Sequence, residues 1–543
     1  MFDFLKYRIE GVHVIPVALL IPIITVIVVI YFKRAKKALF YPPCTPDSLW
    51  ANATRGGFVS LPHKVAMSEW VCDHTRQNTS RGATFRMSMP TPFNFFTTAD
   101  WSLARIILNG DVAKDIQECD KTSAIKNINI FPNIDSILTA NTSSSARDKT
   151  RKFMAPSFST SNLQKTTMGV MRRKSLEFMQ LLQEKTANNT KGAEVDMKDL
   201  NVSIIFEILT ESLFDMKVGH KGSDNVTKSK TRNGIDIDGN ISDGVTIDSF
   251  DCFDCEAFLE AQNAAMKESM VQARNPLRQF VPAFLSPTRA LALKSRDKLI
   301  KLATYVLKKY RHSHPDVNIN SDNTIIGHLV AHDYPSEEHR ISDLLVFLIA
   351  GHETTAHSLS FFLYCMAKNP EKCTKLQEEL DKNVPENAFI SPTEVSNLEY
   401  FNFCLKEAQR LYPVAPVVGR YASQDITHNG MLIPEGSVIA VHLWAMARQR
   451  WINNSYEYEP ERWSNDNPQL ESLKQIPSLF SMGKRSCIGQ NLAMLEMKVL
   501  ACMLIRNFNF VLVEEPEFEL FVTVKPIHLK MKITNRNISR KKK

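Results

Sequence analysis

Along most of the chain the apolar positions recur with a helical period. Stretches 162–186, 195–215, 255–280, 293–312, 341–368, 370–383, 393–411 and 488–506 each carry an apolar stripe, and each is expected to be a helix. Shorter alternating or β-branched pieces, 92–98, 419–423, 437–442, 509–513 and 519–525, are expected as strands. The fold class is therefore mainly α with a minor β part. Segment 217–251 breaks the pattern. Gly, Asp, Asn, Ser and Lys dominate it and no period survives, so a flexible surface insertion is expected. No Pro/Gly-rich linker splits the chain after residue 50, so 41–543 reads as one large domain.

One stretch is apolar on every face. Gly11 to Phe32 is 22 residues without a formal charge. As a helix it would span about 33 Å, enough to cross a bilayer core. Pro16 and Pro22 are tolerated in lipid. The KRAKK cluster, Lys33 to Lys37, belongs on the cytosolic side. A cleaved signal peptide fits less well, because the run is long for an h-region and no A-x-A site follows. Residues 1–40 are thus expected as a membrane anchor with a basic stop-transfer, placing the remainder in the cytosol. Tyr41-Pro-Pro-Cys-Thr-Pro46 reads as a stiff strut between anchor and body.

Composition changes the picture in two respects. Lys and Arg exceed Asp and Glu by 8, but nine basic residues lie in 33–37 and 536–543 alone. The body is near neutral, which argues against a nucleic-acid partner. The 10 cysteines are scattered, not arranged as a disulfide scaffold. Cys252-Phe-Asp-Cys255 lacks the second ligand pair that a structural zinc needs.

Three windows carry chemistry. In Phe480-Ser-Met-Gly483-Lys-Arg485-Ser-Cys487-Ile-Gly489, a lone Cys stands just before the helical stretch 488–506. The helix dipole and the neighbouring Arg are expected to favour its thiolate, and the two glycines to let backbone N–H groups approach the sulfur. A single thiolate suits haem iron; an inert buried Cys is the alternative. In Ala350-Gly351-His352-Glu353-Thr354-Thr355, a small pair leaves room for a flat ligand on a long apolar helix. An acid and an alcohol follow that could relay protons, unless they are merely satisfied polar groups of a core helix. Glu407 and Arg410 stand three apart on one helix face. Such a pair carries weight only if something buried completes it, and Arg462 of Pro460-Glu461-Arg462 could do so.

Together these windows resemble the cytochrome P450 superfamily. The Cys window matches its FxxGxRxCxGxxxA pattern at Phe480, Gly483, Arg485, Cys487, Gly489 and Ala493. Ala350 to Thr355 matches AGx[DE]T[TS], Glu407 and Arg410 match ExxR, and Pro460 to Arg462 match PER. The resemblance covers roughly residues 40–535. The anchor and strut are similar to those of microsomal members, which implies the endoplasmic reticulum membrane.

The resemblance implies haem b with Cys487 as axial thiolate, and Glu353 with Thr354 as the catalytic proton-delivery pair. It implies Arg485, Arg420 and Arg151 as partners of the haem carboxylates, and Glu407, Arg410 and Arg462 as a structural network. Arg147 stands where the family's WxxxR pattern usually has Trp. Arg448-Gln-Arg450-Trp451 replaces a common His/Arg-Asp-Pro, and local packing there should differ. The implied activity is monooxygenation of an apolar substrate such as a fatty acid, sterol, terpenoid or xenobiotic. A haem-thiolate isomerase or dehydratase and a non-catalytic haem sensor are the alternatives. The chain holds no G-x-G-x-x-G fingerprint for flavin or nicotinamide, so a separate NADPH-dependent flavoprotein reductase is the implied partner. Lys484 and Arg485 are read as exposed residues that could help it dock. Residues 94–96, 119–145 and Phe347 are expected to line the substrate pocket.

Overall fold

The computed structural model describes residues 83–536 apart from short internal stretches, the longest being 122–133 and 220–252. The segments 11–32, 33–37 and 41–46 lie outside the described residues, as do most of 217–251 and part of 119–145. Among the described residues no helix is long and apolar enough to cross a membrane.

Helices dominate. The ones that matter here are α1 (Trp101–Asn109), α2 (Ser145–Met154), α3 (Met168–Ala187), α4 (Met197–Phe214), α5 (Cys255–Arg274), α6 (Pro287–Ser313), α7 (Glu337–Lys368), α8 (Glu399–Leu411) and α9 (Gln490–Asn507). Local chemistry marks their ends. Asp100 caps α1 by accepting from the N–H groups of Ser102 and Leu103, and Gly110 closes it at φ 76. Ser144 caps α2, and Ser286 followed by Pro287 starts α6. α7 has Glu337 and Glu338 in its first turn and Lys368 in its last, in keeping with its dipole.

At 32 residues α7 runs about 48 Å and forms the axis of the molecule. Its second half, from Ala356 to Met366, packs with α3, α4, α8 and α9 in the largest apolar core. Its first half, from Ile341 to Leu348, packs with α4, α6 and Phe158 in a second. A third core lies under a five-stranded sheet and includes Phe96, Leu103, Ile107, Ile439 and Trp444. In that sheet Thr84–Met87 pairs antiparallel with Phe95–Thr98, which pairs parallel with Val438–His442. Val417–Tyr421 follows antiparallel, with Asp120–Lys121 at the far edge.

Several expectations need adjusting. The stretch 162–186 is two helices joined at Thr167, and 393–411 is two helices joined at Asn397 and Leu398. The strand expected over 519–525 is a hairpin, Phe518–Leu520 against Val524–Pro526. Helices α1 and α2 were not expected; α1 carries an apolar face of Leu103, Ile106 and Ile107, whereas α2 has none. The ends of the 217–251 segment approach each other, since Val218–Gly219 pairs parallel with Phe253–Asp254. Phe96 and Phe347, expected in the pocket wall, are instead packed in the third and second cores.

Candidate active site

The Cys loop is fixed by its own backbone. The Cys487 N–H donates to the Phe480 carbonyl at 2.8 Å, and the Ser486 N–H to Gly483 at 3.0 Å. To make this turn Ser481 and Gly483 adopt left-handed φ values of 59° and 71°. A Cβ at Gly483 would lie 2.3 Å from the Leu108 carbonyl oxygen and 3.0 Å from the Glu118 carboxylate. Only glycine therefore lets this loop meet the end of α1. Gly489 has more room, and its N–H donates to the Cys487 sulfur. Of the two glycines expected to expose N–H groups to sulfur, only Gly489 does so.

Cys487 is exposed. Enough protein still surrounds it that desolvation pushes its thiol above the ordinary 9.0, against the pull of the Gly489 N–H and the Arg151 charge. The net direction is opposite to the thiolate expected from helix dipole and Arg485. Such a thiol surrenders its proton to a metal on binding.

Arginines gather around this loop. Arg151 donates to Ser486 Oγ at 3.2 Å, and Arg147 to the Lys484 carbonyl at 3.0 Å. Arg485 turns inward, is 9% exposed, and donates to the carbonyls of Ile137 and Leu138. It is thus no docking residue, whereas Lys484 beside it is exposed. Burial, reinforced by the charges of Arg147 and Arg420, lowers Arg485 to about 9. Arg420 is fully buried on the sheet, bonds only to the Gly419 carbonyl among the described residues, and leaves Nε and one Nη without a partner. Burial lowers it to about 10, with Glu118 opposing.

This arrangement tests the implied cofactor. Four guanidiniums (147, 151, 420 and 485) act on one another across the Cys loop, and among the described residues the carboxylates acting on them are Glu118 and Asp148. The excess is two positive charges, and three guanidinium nitrogens of Arg147 and Arg420 are buried without acceptors. Haem b carries two carboxylates. The residues present fit it, with sulfur for its iron and guanidiniums for its acids.

On α7 the motif residues face different ways. Ala350 is exposed, and Thr354 one turn on donates to the Ala350 carbonyl at 2.9 Å. A Cβ at Gly351 would lie 2.9 Å from a Leu209 methyl, so the missing side chain admits α4 and not a flat ligand. Glu353 accepts from Gln262 at 3.0 Å and Thr523 at 3.2 Å, with Lys525 at 3.5 Å and His357 at 3.8 Å. Burial would raise its pKa, but His357 and Lys525 outweigh that and bring it down to about 2. The two members of the expected proton pair therefore have separate sets of partners. Glu353 opens instead on a small pocket lined by Asn263, Met266, Lys267, Val522 and Lys525.

Glu407, fully buried, accepts from Arg410 at 2.8 and 2.9 Å and from Arg462 at 3.1 Å. The Trp463 indole at 2.9 Å and the Glu459 N–H at 3.1 Å complete its shell. Nothing in the sequence singled out Trp463 or Glu459. Arg448 lies 4.0 Å over the Trp444 ring and donates to the Leu411 carbonyl, which ties the departing Arg-Gln-Arg-Trp segment to the end of α8.

The family model for cytochrome P450 matches residues 101–532. Cytochrome P450 3A41 of Mus musculus is 36% identical over 179 residues, which are 32% of this chain and 35% of that protein. Cytochrome P450 3A14 of Cavia porcellus is 30% identical over 244 residues, 42% of this chain and 48% of that protein. The matched region thus spans between a third and a half of these relatives. The heme domain of cytochrome P450DA superposes with a TM-score of 0.69 at 20% identity, over 91% of this chain and 98% of that one. That likeness speaks to the fold, and it comes with a family match running from α1 past α9. On that ground this chain belongs to the cytochrome P450 family, with haem b on a cysteine thiolate as its cofactor.

Proposed function

We propose that this protein is a haem-thiolate monooxygenase of the endoplasmic reticulum membrane. Residues 11–32 anchor it in lipid, and 41–543 form a single catalytic domain facing the cytosol. Its substrate is apolar: a fatty acid, sterol, terpenoid or xenobiotic. Two electrons come from a separate NADPH-dependent flavoprotein reductase. The observation that carries the reading is the exposed Cys487 sulfur, hydrogen-bonded by Gly489 and ringed by arginines with two charges in excess.

Bound haem supplies activation of O2. The protein's own residues supply the rest. Phe480 and Gly483 set the Cys loop so that sulfur points outward, and Arg485, Arg420 and Arg151 would hold the haem carboxylates. Ala350 leaves the face of α7 open, while Gly351 lets α4 pack close behind it. The Thr354 hydroxyl, bonded to the Ala350 carbonyl, can hold a proton at the open face. Glu353, held anionic at neutral pH by His357 and Lys525, is the acid of the pair and must turn from Lys525 to pass a proton to Thr354. The Glu407–Arg410–Arg462 network braces the segment leading to the Cys loop.

One observation favours a second reading, a haem-thiolate isomerase or dehydratase: Glu353 is engaged by Gln262, Thr523 and Lys525, and such an enzyme needs no delivered proton. The experiment is reconstitution with the reductase. Monooxygenation requires both NADPH and O2; turnover without either establishes the second reading. Cys487→Ser should abolish the red-shifted Soret band of the ferrous carbon-monoxide adduct. An unchanged band would end the haem-thiolate assignment.

A further inference from the structure

We propose that Arg147 contacts a haem carboxylate in its own right, adding a guanidinium where the family pattern places an indole. This deepens the function proposed above and rests on it.

Arg147 and Arg151 lie one turn apart on α2, whose first turn is fixed by the Ser144 cap. They reach the Cys loop on either side of Arg485. Arg147 donates from Nη1 to the Lys484 carbonyl at 3.0 Å, and Arg151 from Nη2 to Ser486 Oγ at 3.2 Å. The other Nη of Arg147 bonds the Thr142 carbonyl at 3.4 Å and pairs with Asp148. Its Nε–H is buried and has no acceptor. An unsatisfied donor of this kind on a side chain only 1% exposed is costly, unless an acceptor arrives with a ligand.

An indole would bring one N–H and no charge. The guanidinium brings the same kind of donor, a bond to the Lys484 carbonyl that grips the loop, a second to the Thr142 carbonyl, and a positive charge. Without that charge Asp148 is left uncompensated, and the excess of two falls to one. Haem carboxylates should then be held less tightly, and the ferric form should gain relative to the ferrous one.

The test uses the purified holoprotein and three variants, Arg147→Gln, Arg147→Lys and Arg147→Trp. Haem transfer to apomyoglobin gives the release rate, and a redox titration gives the ferric/ferrous midpoint. Arg147→Gln should release haem roughly ten-fold faster, equivalent to about 1.4 kcal/mol. Its midpoint should move to more negative potential. Arg147→Lys should return the midpoint toward wild type without restoring retention. Arg147→Trp should keep retention and still show the negative shift. A loop clamp alone predicts the same midpoint in all four proteins, and that result overturns the proposal. Should the Gln variant not fold, judged by far-ultraviolet circular dichroism, an unshifted midpoint in Arg147→Trp overturns it equally. A wild-type protein without the red-shifted carbon-monoxide band overturns the haem-thiolate reading, and this inference with it; a normal band with unchanged Arg147 variants overturns this inference alone.

Discussion

Glu407 offers the sharpest test of how the fold is braced. Its carboxylate is fully buried and accepts from both arginines, the Trp463 indole and the Glu459 N–H. Glu407→Gln keeps the shape but removes the charge and turns one acceptor into a donor. Arg410, its side chain 3% exposed, then has no carboxylate partner among the described residues, and Arg462, equally buried, keeps only Glu459 at 2.9 Å. Breaking a buried pair in this way costs about 3–5 kcal/mol. Glu461, in the same Pro-Glu-Arg turn, is the natural control. It pairs with Lys372 at 3.0 Å and Lys375 at 2.8 Å but is 44% exposed, so Glu461→Gln should cost less than about 1 kcal/mol. Urea midpoints at constant slope measure both. Burial would raise the pKa of Glu407, but Arg410 and Arg462 prevail and hold it below the usual range. A depressed folded pKa gives stability that is complete above the unfolded value of about 4.3 and disappears as pH falls through the folded one. The gap between wild type and Glu407→Gln should therefore be full at pH 7 and close in acid. Equal costs for the two Gln variants at pH 7, or a gap independent of pH, would refute the reasoning.

Three further outcomes follow from single positions. Gly483→Ala places a Cβ 2.3 Å from a backbone oxygen at positive φ, so the protein should be recovered without haem, read as loss of Soret absorbance. Gly351→Ala meets the flexible end of Leu209, its two methyls at 2.9 and 3.0 Å, so it should cost about 1–3 kcal/mol by overpacking. Thermal midpoints should show Leu209→Ala with Gly351→Ala costing less than the sum of the singles. Asp343 accepts from the Ile137 N–H at 2.6 Å and from Tyr334 at 3.0 Å, and burial still raises it to about 6. The folded state then binds the proton more tightly, so wild type should gain stability over Asp343→Asn as pH falls from 7 toward 4, by at most about 1.4 kcal/mol per pH unit. A flat difference across that range in urea titrations would rule this out.

The long helices were legible because their apolar stripes are continuous. For α7 the reading began four residues late and ended on the same residue, since Leu344, Leu348, Leu359 and Leu363 recur on a helical period. Helix α2 was hidden for a physical reason. Its buried positions are Arg147, Thr150 and Met154, so the face that packs inward is largely polar and leaves no apolar stripe. The residues that make the arginine cradle thus also erase the signal of the helix that carries two of them. The same limit applies to partners far apart in sequence. Lys525 lies 172 residues from Glu353, and no local pattern announces the pairing.

What local pattern did announce was the α7 motif, and its residues divide across the helix in a way that a linear motif cannot express. Successive side chains are about 100° apart, so four consecutive residues point to four different neighbourhoods. Ala350 meets open space, Gly351 meets Leu209, His352 packs against Phe206, and Glu353 meets Gln262 and Lys525. Thr354 returns to the Ala350 side and bonds its carbonyl. The acid and the alcohol are thus neighbours in sequence with different surroundings, one tied to a lysine at the protein's flank and one at the open face. If protons reach Thr354 by way of Glu353, that carboxylate must exchange Lys525 for the open side. Lys525→Met removes the competing partner, so it should raise the Glu353 pKa and alter the pH profile of turnover while leaving haem binding intact.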